Sequence, residues 1–117
     1  MRIWDIEPSE LCRKHLLGEH RELHAIWSIL TNGKQGYRNH PETKRWVGKL
    51  GALACRHSKL VVEMERRGYN HSSELPYPPD FTDEDFGCWI QDYYINTPEE
   101  QREILRKKDC ECGDLDG

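Results

Sequence analysis

Two glutamates and four histidines pose the first chemical question in this sequence. On a wheel of about 100° per residue with His15 at zero, Cys12, Leu16, Leu23, Ile26, Trp27 and Leu30 fall between about 20° and 120° and form one apolar stripe. Glu19 then lies near 40° and Glu22 near −20°, within or beside the face that should be buried. Burying an unpaired carboxylate is costly, so something must face these groups. Paired carboxylates beside a histidine suit general acid–base work on a substrate. They equally suit a buried polar network in which Glu19 and Glu22 bond His15, His57 or Arg2, and spacing alone leaves both readings open.

Other familiar chemistries are missing. There is no phosphate-binding glycine loop, no serine nucleophile elbow and no HExxH zinc motif. His20 and His24 stand at metal-binding spacing on one helix face, and Cys110 and Cys112 would add thiolates, but no four ligands follow the spacing of a structural zinc site. The expectation is surface histidines, a loose thiol pair, and neither metal nor organic cofactor. Five cysteines, an odd number, do not make a secreted disulfide framework; Cys12 and Cys55 are expected on helical core faces.

The elements that must hold these groups follow from the periodicity. A chain of 117 residues fits one domain with one core. Residues 1–7 are too short for an element, yet Ile3, Trp4 and Ile6 are apolar enough to anchor the segment. A first helix is expected from Pro8 or Ser9 to about Thr31, stopped by Asn32-Gly33, with Gly18 inside it permitting a close neighbour. Trp46, Leu50, Leu53, His57, Leu60, Val61 and Met64 repeat at helical spacing and predict a longer helix from about Pro41 to Arg67, closed by Gly68. His57 lies on its apolar face and is expected to meet Glu19 across the helix interface. Beyond the Pro-rich connection at Pro76, Pro78 and Pro79, a short helix is expected within 82–94, carrying Phe86, Trp89, Ile90 and Tyr93. Thr97-Pro98-Glu99-Glu100 is a capping box that opens a last helix to about Lys108. The fold class is therefore all-α: two long helices, a shorter C-terminal helix and an N-terminal segment packed against them.

Charge is divided along the chain. Residues 1–68 carry 13 Lys/Arg against 8 Asp/Glu, whereas 69–117 carry 4 against 13. A polyanion would meet the front of the chain. Between Lys34 and Lys49 five basic residues, Lys34, Arg38, Lys44, Arg45 and Lys49, interleave with Tyr37 and Trp46, a combination suited to phosphate and base contacts and equally to a solvated loop. With no signal-peptide core and no membrane-length apolar run, the expectation is a cytoplasmic protein away from membranes.

The motif His15-Leu16 followed by Glu19-x-Arg21-Glu22-Leu23 resembles the phage-type pyrimidine-dimer DNA glycosylases, the dimer-specific endonuclease V family. The similarity continues through Asn32-Gly33-Lys34, Lys49-Leu50, Leu53, Arg56, Leu60, Glu63 and Arg67-Gly68-Tyr69-Asn70, covering about residues 1–70. The acidic part, about 71–117, has no counterpart in it. The resemblance implies a compact helical enzyme whose N-terminal α-amine attacks the anomeric carbon of a damaged nucleotide, forms an imine and promotes β-elimination. Met1 aligns with the nucleophile, because Arg2 aligns with the arginine that follows it in the family. Glu22 matches the glutamate that stabilises the cationic sugar and assists proton transfer. Arg2 and Arg21 match phosphate-gripping arginines, and His15 matches a histidine on the same helix. The family carries a further arginine where Ala25 stands here.

The resulting expectation is a monomeric DNA repair glycosylase and abasic-site lyase acting on damaged duplex DNA. Met1 and Glu22 are its catalytic pair, and Arg2, His15, Arg21, Lys34, Arg38, Lys44 and Arg45 contact DNA. The alternatives are a non-catalytic nucleic-acid- or protein-binding helical module, a lyase for abasic sites or another lesion, and a metal or redox sensor built on His20, His24 and the C-terminal cysteines.

Overall fold

The computed structural model describes residues 2–33, 36, 38–70 and 73–108. Its regular structure comprises α1 (Arg13–Asn32), α2 (Pro41–Lys44), α3 (Leu50–Arg66) and α4 (Pro98–Arg106), with 3-10 turns at Pro8–Glu10 and Asp83–Phe86. There is no strand among the described residues, so the fold is all-α as expected. None of these helices is long and apolar enough to cross a membrane. Gly33, at φ 64°, ends α1 in the left-handed conformation that its position after Asn32 predicts. Thr97 and Glu100 form the reciprocal cap of α4.

The apolar stripes of α1 and α3 pack on each other, and Leu16, Leu23, Ile26, Trp27, Leu53 and Leu60 are fully buried. Ile3, Trp4 and Ile6 complete this core from the N-terminal segment, as their apolarity predicts. That segment has no helix or sheet partner, so its amides and carbonyls must be satisfied by side chains. Three helices and the α2 corner supply them. Glu42 accepts from the Ile3 amide at 3.0 Å, Glu19 from the Trp4 amide at 3.1 Å and Gln101 from the Asp5 amide at 2.6 Å. Arg45 donates to the Ile3 carbonyl at 3.0 Å and Arg56 to the Ile6 carbonyl at 2.7 Å.

Three elements and one cysteine differ from the periodicity. The first helix does not start at Pro8: a 3-10 turn is followed by extended Leu11 and Cys12. Leaving the helix there presents the carbonyls of Pro8 and Leu11 to the Arg67 guanidinium at 3.2 and 2.6 Å. The second long helix is split, since α2 stops after four residues and the chain turns through 45–48 before α3. The turn places Arg45 and Trp46 under the N-terminal segment, and Gly48 adopts φ 74°. Within 82–94 only Asp83–Phe86 is helical, because Trp89, Ile90 and Tyr93 stay more than half exposed and give no apolar face to bury. Cys12 is buried as expected, but Cys55 is exposed on α3.

The C-terminal part is tied to the α2–α3 corner by a glycine pair. The Cys88 amide donates to the Gly48 carbonyl at 2.9 Å, and Gly87 sits at φ 64°, ψ −134° against the same carbonyl. A Cβ on Gly87 would enter a backbone region that only glycine tolerates and would collide with Gly48. Gly87→Ala should therefore cost about 1–3 kcal/mol, read as a lowered midpoint of urea unfolding with an unchanged slope. An unaltered midpoint would mean that this corner does not contribute to stability.

Candidate active site

The helical register separates the two glutamates of α1, and their surroundings then diverge completely. Glu19 is buried, and Arg56 holds it bidentately, Nε to Oε2 at 2.6 Å and Nη2 to Oε1 at 3.0 Å, while it also accepts the Trp4 amide. Burial pushes its carboxyl up, and the Arg56 guanidinium pulls against that push. Glu19 is thus structural, though its partner is Arg56 rather than His15 or His57. Glu22 is half-buried and has no hydrogen-bond or ion-pair partner among the described residues. It lines an open cleft of about 640 Å³ bordered by α1, the N-terminal segment, His40, and Ile104 and Lys108 in and after α4.

Four cations, Arg2, Lys14, Arg21 and Lys108, line this cleft around Glu22. A carboxylate beside cations that form no ion pair among the described residues suits a polyanion whose reacting centre becomes cationic. One wall is built by stacking: the Arg2 guanidinium lies 4.8 Å from the centre of the Trp4 ring, and Trp4 meets the His15 ring edge-on at 5.8 Å. Arg2 is further tethered to Asn96 at 3.3 Å. Partial burial, Lys108 and Lys14 lower the pKa of His15, which favours its neutral imidazole form. Its Nδ1 lies 3.1 Å from the Cys12 sulfur. Gly18, expected to admit a close neighbour, has no atom within 4 Å of where a Cβ would stand; its open face belongs to the cleft.

The structure thus brings Arg2, His15, Arg21 and Glu22 together. Arg38 and Lys44 are exposed outside the cleft lining, near His40, which caps α2 and does line it. Met1, Lys34 and the Cys110–Cys112 pair lie outside the described residues. Arg45 is a correction: its side chain is 2% exposed and bound to Asp5 and Glu42, so it holds the N-terminal segment instead of facing DNA. His57 is another, meeting His20 and His24 instead of Glu19.

Sequence reasoning missed the contribution of the acidic half. Gln101 of α4 clasps Asp5, and Lys108 beyond it reaches the cleft. The signal was present in the Thr97-Gln101-Leu105 spacing, whose last two members are the buried residues of α4.

The sequence profile described as pyrimidine dimer DNA glycosylase matches residues 1–77. No curated protein and no solved structure gives a significant match. The profile therefore spans α1, α2, α3 and the N-terminal segment, and ends before α4.

Proposed function

The chain belongs to the pyrimidine dimer DNA glycosylase family, and from that premise we propose that it is a bifunctional enzyme, glycosylase and abasic-site lyase, working through an imine on its N-terminal amine. The observation that carries this reading is Glu22, without a partner among the described residues, in a cation-lined cleft that Arg2 and Trp4 of the N-terminal segment also line.

In this mechanism the Met1 α-amine attacks the anomeric carbon of a pyrimidine-dimer nucleotide. A C–N bond to the amine forms as the glycosidic bond breaks, and the sugar ring opens to the imine. Loss of a proton from the adjacent carbon then expels the 3′ phosphate and cuts the strand. An α-amine has a pKa near 8, so about a tenth is a free nucleophile at neutral pH without tuning, whereas a lysine would need a large shift. Glu22 stabilises the cationic sugar and relays protons. Arg2 and Arg21 grip phosphates beside it, neutral His15 orients the strand, and Lys34, Arg38 and Lys44 extend the contact along the duplex. The enzyme works as a cytoplasmic monomer and draws the damaged nucleotide out of, or kinks, the duplex for access.

Borohydride trapping tests the assignment. Untagged protein mixed with ultraviolet-irradiated duplex, or with duplex holding an abasic site, should yield a covalent adduct, and an N-terminal extension should abolish it. No adduct on either substrate overturns the enzymatic reading in favour of a binding module. An adduct only on the abasic duplex removes the dimer specificity and keeps the lyase. Trapping by the extended protein would assign the nucleophile to a lysine.

A further inference from the structure

The histidine cluster lies away from the cleft. Glu22 is two residues from both His20 and His24, about 200° around the helix, so the pair projects from the opposite flank of α1. There it meets His57 of α3. Nε2 of His20 is 3.3 Å from Nε2 of His57 and 3.2 Å from Nε2 of His24, and the three donor atoms all lie within 4.8 Å of one another.

Protons satisfy this convergence poorly. An imidazole nitrogen presents either one hydrogen or one lone pair in the ring plane. His20 Nε2 therefore makes at most one linear hydrogen bond with its two nitrogen neighbours, although it lies at bonding distance from both. A cation accepts lone pairs from all three at once. Tetrahedral zinc with Zn–N bonds of about 2.0–2.1 Å spaces its nitrogen ligands about 3.3–3.4 Å apart, the spacing that two of the three pairs already have. The third pair, within 4.8 Å, would have to close by a side-chain adjustment as the ion binds. Two ligands at i, i+4 on one helix and a third across the interface also fix the direction of the site, since it spans the α1–α3 contact. His57 is buried, whereas His20 and His24 are half-buried, which leaves a fourth position open toward solvent for water.

We propose that His20, His24 and His57 form a zinc site that clamps α1 to α3 behind the catalytic face. The expectation of no metal from ligand spacing considered only neighbours in sequence; the third ligand comes from another helix. Imidazole donors alone select borderline first-row ions, and three nitrogens converging from separate directions suit the tetrahedral preference of zinc over the planar preference of copper(II). The site is independent of the glycosylase reading, because its ligands do not line the cleft.

The test uses the full chain carrying Cys110→Ser and Cys112→Ser, which removes the thiolates as a competing zinc sink. Titration with zinc chloride in a calorimeter should show one ion bound per chain. Zinc at about a hundredfold above Kd should raise Tm by at least about 5 °C. Cobalt(II) should give the intense visible bands of a tetrahedral ion. His24→Ala, at a half-buried helical position that tolerates alanine, should keep the helical circular dichroism and weaken zinc binding at least about a hundredfold. His20→Asn should do the same. No heat and no Tm shift in the parent, the weak spectrum of octahedral cobalt, or binding by a folded His24→Ala variant as tight as the parent's would each overturn the site. DNA nicking should be the same with and without chelator, whichever way the metal titration turns out.

Discussion

Glu22→Gln should leave affinity for damaged duplex within a few-fold of the parent and lower single-turnover strand cleavage at least about a hundredfold, the scale on which a positioned acid–base group acts. The side chain is close to isosteric, so the variant removes charge and basicity while keeping shape. Because Glu22 has no partner among the described residues, no ion pair breaks and stability should hold. Binding should survive for a second reason. On the proposed reading Arg2, Lys14, Arg21 and Lys108, which line the cleft, would supply the attraction for phosphate, and losing a carboxylate from among them makes the cleft more positive. Gel shift and cleavage measured on the same preparation separate the two effects. Wild-type turnover in the variant would remove Glu22 from the mechanism. Glu19→Gln offers the contrast, since it leaves the Arg56 guanidinium without its bidentate carboxylate and so should fail in stability before it fails in chemistry.

What the sequence made legible was local. The stripe of α1, the stop at Gly33, the cap at Thr97 and the anchoring of Ile3, Trp4 and Ile6 each follow from residues within one turn or one short segment of each other. What it hid was contact between distant backbone and side chain. Arg45 sits in a basic run, Lys44-Arg45, and nothing nearby distinguishes the two, yet one is exposed and the other buried. The apolar repeat ran through Gly48 as though the helix were continuous, because a turn that exists to receive the N-terminal segment leaves no mark on periodicity. Glu63 and Arg67 stand at i, i+4 on α3, and nothing in that spacing tells that Arg67 continues to three carbonyls of the 8–11 stretch. His57 was recognised as an ionisable group on an apolar face, and only the packing of α3 on α1 determines that it meets two histidines and Arg56 meets Glu19. The candidate site shows the same division. Arg21 and Glu22 were legible from the resemblance, whereas Lys108 and Gln101 come from a part of the chain outside the profile match.

Arg45→Ala should be the most damaging single truncation for stability, at about 3–5 kcal/mol, because it leaves two carboxylates in the interior without their countercharge. All five of its N–H donors are engaged. Nε reaches Glu42 at 2.9 Å, Nη1 reaches Asp5 at 3.2 Å and the Tyr93 carbonyl at 3.0 Å, and Nη2 reaches the Ile3 carbonyl at 3.0 Å and Asp5 at 2.7 Å. The guanidinium also lies 4.8 Å from the centre of the Trp46 ring. Lysine keeps the charge but not the planar fork, so Arg45→Lys should recover only part of the loss. Urea unfolding measures both variants, and a cost below about 1 kcal/mol for Arg45→Ala would mean that the buried pairs do not hold the segment. The salt dependence of DNA binding separates this role from the phosphate contact that the basic run implied. Under conditions where each variant remains folded, Arg21→Ala should reduce the slope of log affinity against log salt by about one, whereas Arg45→Lys should leave it unchanged. Arg45→Lys should nevertheless trap less imine per bound duplex. The same guanidinium holds Ile3 and Asp5, so in the proposed mechanism loosening it moves the amine-bearing end of the chain while sparing the proposed DNA contacts.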